Sequence, residues 1–309
     1  MSTTLTTGAN PAPDQDPDRP RSKTARRVWL SVLVLAIIGF LLGALVLFAW
    51  MVNETHFDRP SQEFDEFEAE VASLPGVESV EKERWVEAPT FWSPTSWIFV
   101  TVDEAGLPGL LDAGCSPSYA DPVTWSIRVR TQSAAEVSLH AGPTAPAAAG
   151  AQEQCPDFGF DAVRLVDELD IVAPGLALQP SVWDNGRFAL VALEDEVQAG
   201  FTHLLPLIAH ADDLLVAAGL DSKKELEINA ANLGLVLEPG ESDEYLALLT
   251  ELAEDHAVSS YWADGGGTPI DGVEKVQIVA PDQQREAIEE AIRSSGLHIA
   301  DRPVRFLEQ

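Results

Sequence analysis

From Val28 to Val52 the chain runs through 25 residues without a charge, VWLSVLVLAIIGFLLGALVLFAWMV, and after that the apolar positions break into short periodic segments. As a helix rising ~1.5 Å per residue the uncharged run is about 37 Å long, enough to cross a hydrocarbon core of ~30 Å. A helical period comes next. In SQEFDEFEAEVASL (61–74) Phe64, Phe67, Val71 and Leu74 fall on one face, with Ser61 as N-cap. Pro75-Gly76 stops that helix, and GVESVEKERWVE reads as a strand up to Trp85. SWIFVTVDE sets Trp97, Phe99 and Thr101 against Ile98, Val100 and Val102 at period two, with both faces largely apolar. Trp85 and Trp97 are therefore expected in the core. A short helical stretch, AGLPGLLDAG, and a strand, VTWSIRVRT, complete the order helix, strand, strand, helix, strand.

That order recurs. DAVRLVDELDIVAPGLALQPSVW repeats the helix, the Pro174-Gly175 break and a strand ending in Trp183. Asn185-Gly186 is a hairpin signal, FALVALED the return strand, and a helix kinked near Pro206 is predicted to reach Gly219, before the strand KELEINA. A third copy runs from ESDEYLALLTELAEDHA, with Ser242 as N-cap, through VSSYWAD, a GGGTPIDG hairpin and VEKVQIVA, to a helix stopped by Gly296. EVSLHA (136–141) and LGLVLEP (233–239) supply leading strands for copies two and three, and copy one shows none. With a leading strand each unit is β-α-β-β-α-β, the ferredoxin-like order. The predicted fold is α+β: an N-terminal transmembrane helix followed by tandem ferredoxin-like repeats. The boundaries are a disordered cytoplasmic tail (1–27), the membrane helix (28–52), a juxtamembrane linker (53–61), repeat one (62–131), a connection with an Ala/Pro-rich loop (132–160), repeat two (161–231) and repeat three (232–309).

The phrase LPGVESVE (74–81) resembles the helix-to-strand junction of heavy-metal-associated domains and other ferredoxin-like modules. The resemblance covers about ten residues and implies a supersecondary turn. Metal-carrying members use Cys-x-x-Cys before the first helix, whereas this chain has NETHFDRPSQ there. Metal transfer is not implied, because fold alone does not carry function.

Charge sets topology and excludes partners. Arg19, Arg21, Lys23, Arg26 and Arg27 precede the apolar run, and Arg59 is the one Lys or Arg in the 29 positions after it. Arg21, Lys23, Arg26 and Arg27 lie closest to the run, and the positive-inside rule makes the N-terminus cytoplasmic and the remainder extracytoplasmic. Trp29 and Trp50 stand near the ends of the span as interface anchors. A cleaved signal peptide would show an apolar region of ~7–15 residues and a small-x-small site; the run is longer, and FAWMVNETH offers no such site. The whole chain carries −31, and five of its 19 basic and three of its 50 acidic residues lie in the tail. The remainder thus sets 14 basic against 47 acidic residues, near −33. Such a surface repels nucleic acid and anionic lipid headgroups. Cys115 and Cys155, the only cysteines, lie in the extracytoplasmic portion and are expected to form a disulfide.

No catalytic residue, cofactor-binding residue or metal ligand is assigned. Ser79-Val80-Glu81-Lys82 spells Ser-x-x-Lys, but it follows a Pro-Gly break in an extended stretch and lacks companion elements. His203 and His210, with Asp212 and Asp213 nearby, lack metal-ligand spacing. Gly265-Gly266-Gly267 joins two strands and opens no helix. What stands out is APTFWSPTSW (88–97), which carries Phe91 and Trp92 in a loop between strands, either folded back on the sheet or presented to a partner. The expectation is a single-pass plasma-membrane protein, held in the bilayer by residues 28–52, that binds another envelope protein as a non-enzymatic interaction or scaffold module. The alternatives are an extracytoplasmic ligand- or cation-binding sensor, with Ca²⁺ as the cation, and an unrecognised envelope hydrolase. Oligomeric state is left open.

Overall fold

A computed structural model describes residues 23–53, 56–87, 93–115, 119–142, 155–193, 200–264 and 273–308. Two compact units divide the chain, residues 1–56 and 57–309. In the first, helix α1 (Lys23–Asn53) contains Val28–Phe48, whose mean hydropathy is 2.9 and whose residues are exposed along its length. Among the described residues it is the one helix long and apolar enough to cross a membrane.

Beyond it the protein is mixed α/β, built on one large sheet. In chain order come β1 (His56–Asp58), α2 (Gln62–Ala72), β2 (Val77–Glu87), β3 (Thr95–Asp103), α3 (Leu107–Gly114), β4 (Val123–Arg130) and β5 (Glu136–Ala141). Then follow α4 (Ala162–Val172), β6 (Ala177–Val182), β7 (Phe188–Ala192), α5 (Leu205–Ala209), α6 (Ala211–Ala217), β8 (Leu226–Asn229) and β9 (Leu233–Leu237). The last are α7 (Ser242–Glu254), β10 (Ser260–Trp262), β11 (Val276–Val279), α8 (Arg285–Ser294) and β12 (Val304–Phe306).

The described strands form one twelve-stranded sheet in sequential order, β1 to β12. From β2 onward, strands joined by a short connection pair antiparallel, as in β2–β3, β4–β5 and β6–β7. Strands joined through a helix pair parallel with their immediate neighbour, as in β3–β4, β5–β6, β7–β8, β9–β10 and β11–β12. Here the ferredoxin-like expectation needs correcting. A ferredoxin-like unit separates its helix-linked strands by a third strand, whereas here they are adjacent. The predicted elements are present, but their neighbours differ. β1 also supplies the leading strand that copy one lacks in the sequence reading.

Alternation along the strands explains the layering. Ile98, Val100 and Val102 on β3, Trp125, Ile127 and Val129 on β4, and Val137, Leu139 and Ala141 on β5 lie on one face and are buried. They join one core with Phe64, Phe67 and Val71 of α2, Leu165 and Leu169 of α4, Tyr245 and Leu249 of α7, and Ile288 and Ile292 of α8. The helices pack on one another as well: α4 on α6, α5 on α7 and α7 on α8. Side chains of the opposite face, including Trp97, Phe99 and Val236, lie outside this core. The sheet therefore has one helix-covered side.

Local differences from the sequence reading have local causes. On β2 the helix side receives Val80, Lys82, Arg84 and Val86, which turns Trp85 to the other face with Trp97, so neither is in the core. Lys82 reaches Asp65 at 2.8 Å and also Glu68; Arg84 donates to Tyr119 Oη (3.0 Å), Asp121 Oδ2 (2.9 Å) and the Arg59 carbonyl (2.7 Å). Burial opposes the charge on Lys82, but its two carboxylate partners outweigh that and hold its pKa above the ordinary value. Pro206 sits in the first turn of α5, where a missing N–H costs nothing, so the break falls at His210, between α5 and α6. Ser242 is the first helical residue, with Glu241 as cap.

The Pro75-Gly76 joint is tight. Gly76 has φ +82°, its carbonyl accepts from Asp103 N (2.9 Å), and a Cβ there would lie 2.3 Å from Asp103 Oδ1. The same Asp103 carboxylate accepts from Gly106 N at 2.7 Å, capping the turn that leads into α3. Gly109, inside α3, has open space around its Cβ position. Gly76→Ala is expected to destabilise the fold by about 2 kcal/mol or more, whereas Gly109→Ala stabilises it by about 0.5–1 kcal/mol. Chemical denaturation of the two variants checks the opposite signs.

Candidate functional site

Two clusters of polar and aromatic side chains stand out. The first lies on the helix-free face at β2–β5. Positions that alternate with the core place Ser79, Glu81, Glu83 and Trp85 of β2 beside Thr95, Trp97, Phe99 and Thr101 of β3. Thr124, Ser126 and Arg128 of β4 and Ser138 and His140 of β5 continue the same face. Ser79, Glu81, Phe99, Thr101, Ser126, Arg128, Ser138 and His140 line a groove of about 360 Å³. Trp85, Trp97 and Phe99 form a half-buried row beside it, with ring centroids 5.8 Å and 5.5 Å apart. Trp85 and Trp97 come together because Trp85 pairs with Thr95, two positions from Trp97 and on the same face.

The electrostatics of this face are muted. Arg128 Nε lies 3.1 Å from Glu136 Oε1, so its charge is matched. The sheet surface withholds water from part of the His140 ring and pushes its pKa below the ordinary value, favouring neutral imidazole. Further along, the same face closes. Glu227, Val236, Ser260 and Gln277 are buried, and Trp262 folds over Gly234, where a Cβ would lie 2.7 Å from its Cδ1. Glu227 is held there by Asn229 Nδ2 (2.7 Å) and Arg187 Nη1 (3.3 Å). Ser79, Glu81, Arg128 and His140 are exposed, so the β2–β5 part of this face is open to solvent.

The second cluster surrounds His298. Its Nδ1 lies 2.7 Å from Glu241 Oε2, its Nε2 2.9 Å from Asp264 Oδ2, and its backbone N donates to Glu241 Oε1 at 2.9 Å. Arg302 Nη1 donates to Asp264 Oδ1 (2.5 Å) and to the Ala263 carbonyl (3.1 Å). The ring of the buried Tyr245 lies 6.1 Å away, and burial pushes the pKa values of Tyr245 and Tyr261 up. Glu238, Glu241 and His298 bring ligand-type atoms within 4.8 Å of one another. A carboxylate on each nitrogen, however, favours the imidazolium form, in which both ring nitrogens donate to carboxylates and neither offers a lone pair. The cluster is a staple that ties the start of α7 and the end of β10 to the segment after α8.

The residues singled out in the sequence are dispersed. Cys115 and Cys155 form a disulfide with Cα atoms 4.1 Å apart, and Pro156 packs where a side chain on Gly114 would sit. Trp29 is an exposed residue of α1; Trp50, Lys23, Arg26 and Arg27 belong to the same helix. Arg21, Phe91, Trp92 and the Gly265–Gly267 run lie outside the described residues. Ser79 and Lys82 stand on opposite faces of β2, so they cannot act as a nucleophile and base pair. His203 is in the turn before α5 and His210 at the α5–α6 break, where Nδ1 lies 3.4 Å from Asp213 Oδ2. Apart from Ser79 and Glu81, named in Ser-x-x-Lys, the groove-lining residues and the His298 staple are not candidates in the sequence. Period-two alternation marks the former, whereas the partners of His298 lie 34 and 57 positions away.

Comparison of the chain with protein-family models, curated proteins and solved structures returns no match.

Burial opposes the charge on His298, yet Asp264 and Glu241 outweigh it, and its pKa is raised above the ordinary value. A folded-state pKa above the unfolded one adds stability that is complete below about pH 6.5 and is lost as pH rises through the folded value. The thermal midpoint is therefore expected to fall as pH is raised from about 6 into the alkaline range. His298→Gln should lower the midpoint at acidic pH by the equivalent of about 2 kcal/mol and remove much of that slope. Calorimetry across pH on both proteins reads the difference; parallel profiles would refute the staple.

Proposed function

We propose that the protein is a single-pass, membrane-anchored interaction module of the cell envelope, non-enzymatic, with a cytoplasmic N-terminus and the sheet outside. The observation that carries this reading is the accessible half of the helix-free face, where a groove and an aromatic row lie together on rigid strands. Binding surfaces on strands are better pre-organised than those on loops. The apolar α1 supports the anchor, and the basic residues before it support the orientation. The disulfide supports an oxidising location. The recurrent helix–hairpin unit is read as internal repetition, in which each copy extends the sheet by a hairpin and its cover by a helix. Phe91 and Trp92, which lie between β2 and β3 in the sequence, are proposed to contact the same partner.

Two measurements test this. Full-length protein should stay in the membrane pellet through alkaline carbonate extraction, and protease added to intact cells, after any outer barrier is permeabilised, should remove the C-terminal portion. Release by carbonate, or protection from protease, would refute the anchored topology. Crosslinking in the native membrane should yield a discrete partner adduct that Phe91→Ala/Trp92→Ala weakens several-fold with the thermal midpoint unchanged. Loss of stability instead would assign both rings to packing.

A further inference from the structure

Resting on the interaction-module reading, we infer that the groove across β2–β5 binds a neutral glycan chain. The inference follows from the combination of groups there. Four hydroxyls, Ser79, Thr101, Ser126 and Ser138, line one groove, each able both to donate and to accept. Glu81 adds a carboxylate acceptor and Arg128 a fan of donors. Beside them Trp85, Trp97 and Phe99 offer flat apolar surface to the C–H faces of sugar rings. Sugars present this mixture, hydroxyls around the rim and C–H groups on the faces.

Charge narrows the class. The one groove-lining arginine is matched by Glu136, Glu81 carries a negative charge, and the whole chain stands at −31. An anionic polymer would meet repulsion with no basic surplus to offset it. Of the groove-lining side chains Glu81 is the one carboxylate, set among hydroxyls and an arginine, which is not an oxygen cage for a cation. A neutral polyhydroxylated ligand matches both the polarity and the absence of net positive charge. The volume, about 360 Å³, lies within the ~300–1,000 Å³ of small-molecule sites, so it suits a short stretch of a longer chain.

The test uses full-length protein in lipid nanodiscs, avoiding sugar-headed detergents, with two probes: the β-1,4-linked hexamers of N-acetylglucosamine and of glucose. At least one should bind saturably by calorimetry and shift the tryptophan fluorescence, since Trp97 packs on Phe99, which lines the groove. Trp97→Ala should weaken that binding by about tenfold or more, and Trp97→Phe should restore most of it. Arg128→Ala, at a more than half-exposed side chain that does not threaten folding, should weaken binding several-fold at an unchanged thermal midpoint. Absence of binding by both hexamers, or binding that Trp97→Ala and Arg128→Ala leave untouched, would overturn the inference. So would a preference for a polyanionic glycan that salt abolishes. If the hexamers fail while the membrane crosslink persists and is weakened by Trp97→Ala, the glycan is wrong and the interaction surface stands. If both fail, the interaction reading falls with it.

Discussion

The constraint on which the second unit depends is that its described helices all cover the same side of the sheet. Most alternate residues from β3 to β11 enter the seam with α2 through α8, and most of those are aliphatic or aromatic. Burial of apolar area on that side is the dominant favourable term. The helix side fails to be wholly apolar at β2, where Lys82 and Arg84 enter it. Each is met by carboxylates or a phenol brought from α2 and from the segment before β4, so that no charge is left bare.

Freed from the core, the other face divides in two. In the C-terminal half Glu227, Val236, Ser260 and Gln277 are buried, Trp262 lies over Gly234, and Glu227 is held by Arg187 and Asn229. At β2–β5 it stays accessible and is lined with hydroxyls, a matched arginine and aromatic rings. A polar, partly aromatic surface on paired strands is held rigidly by the very seam behind it. The stability of one side and the chemistry of the other are thus two consequences of one alternation.

The C-terminal segment is secured differently. Leu297 and Ile299 still reach the core, and a charged network around His298 adds to their hold. Because that network depends on an imidazolium, its strength varies with pH while the apolar seam does not. The disulfide adds a covalent tie of the same kind at the other end, joining the residue after α3 to the approach to α4.

Much of the architecture was legible in the chain. Phe64, Phe67 and Val71 at helical spacing, the breaks at Pro75-Gly76 and Pro174-Gly175, and Asn185-Gly186 at a hairpin all specify local elements, and these elements formed. Local periodicity is a short-range property, set by backbone geometry and side-chain direction over a few residues, so sequence alone determined the long apolar helix, most of the element order and the cysteine pair, but not β1. Which strands become neighbours is not encoded at that range. Alternation names the buried face, not the adjacent strand, and hence the sequential order in place of a ferredoxin-like one was decided only in three dimensions. The same holds for Trp85 and Trp97, whose apolar character suggested the core until the parity of β2 placed them opposite it. His298 depends on carboxylates that chain folding brings from two other elements, and no spacing rule in one dimension can register a contact that exists only after the core has closed.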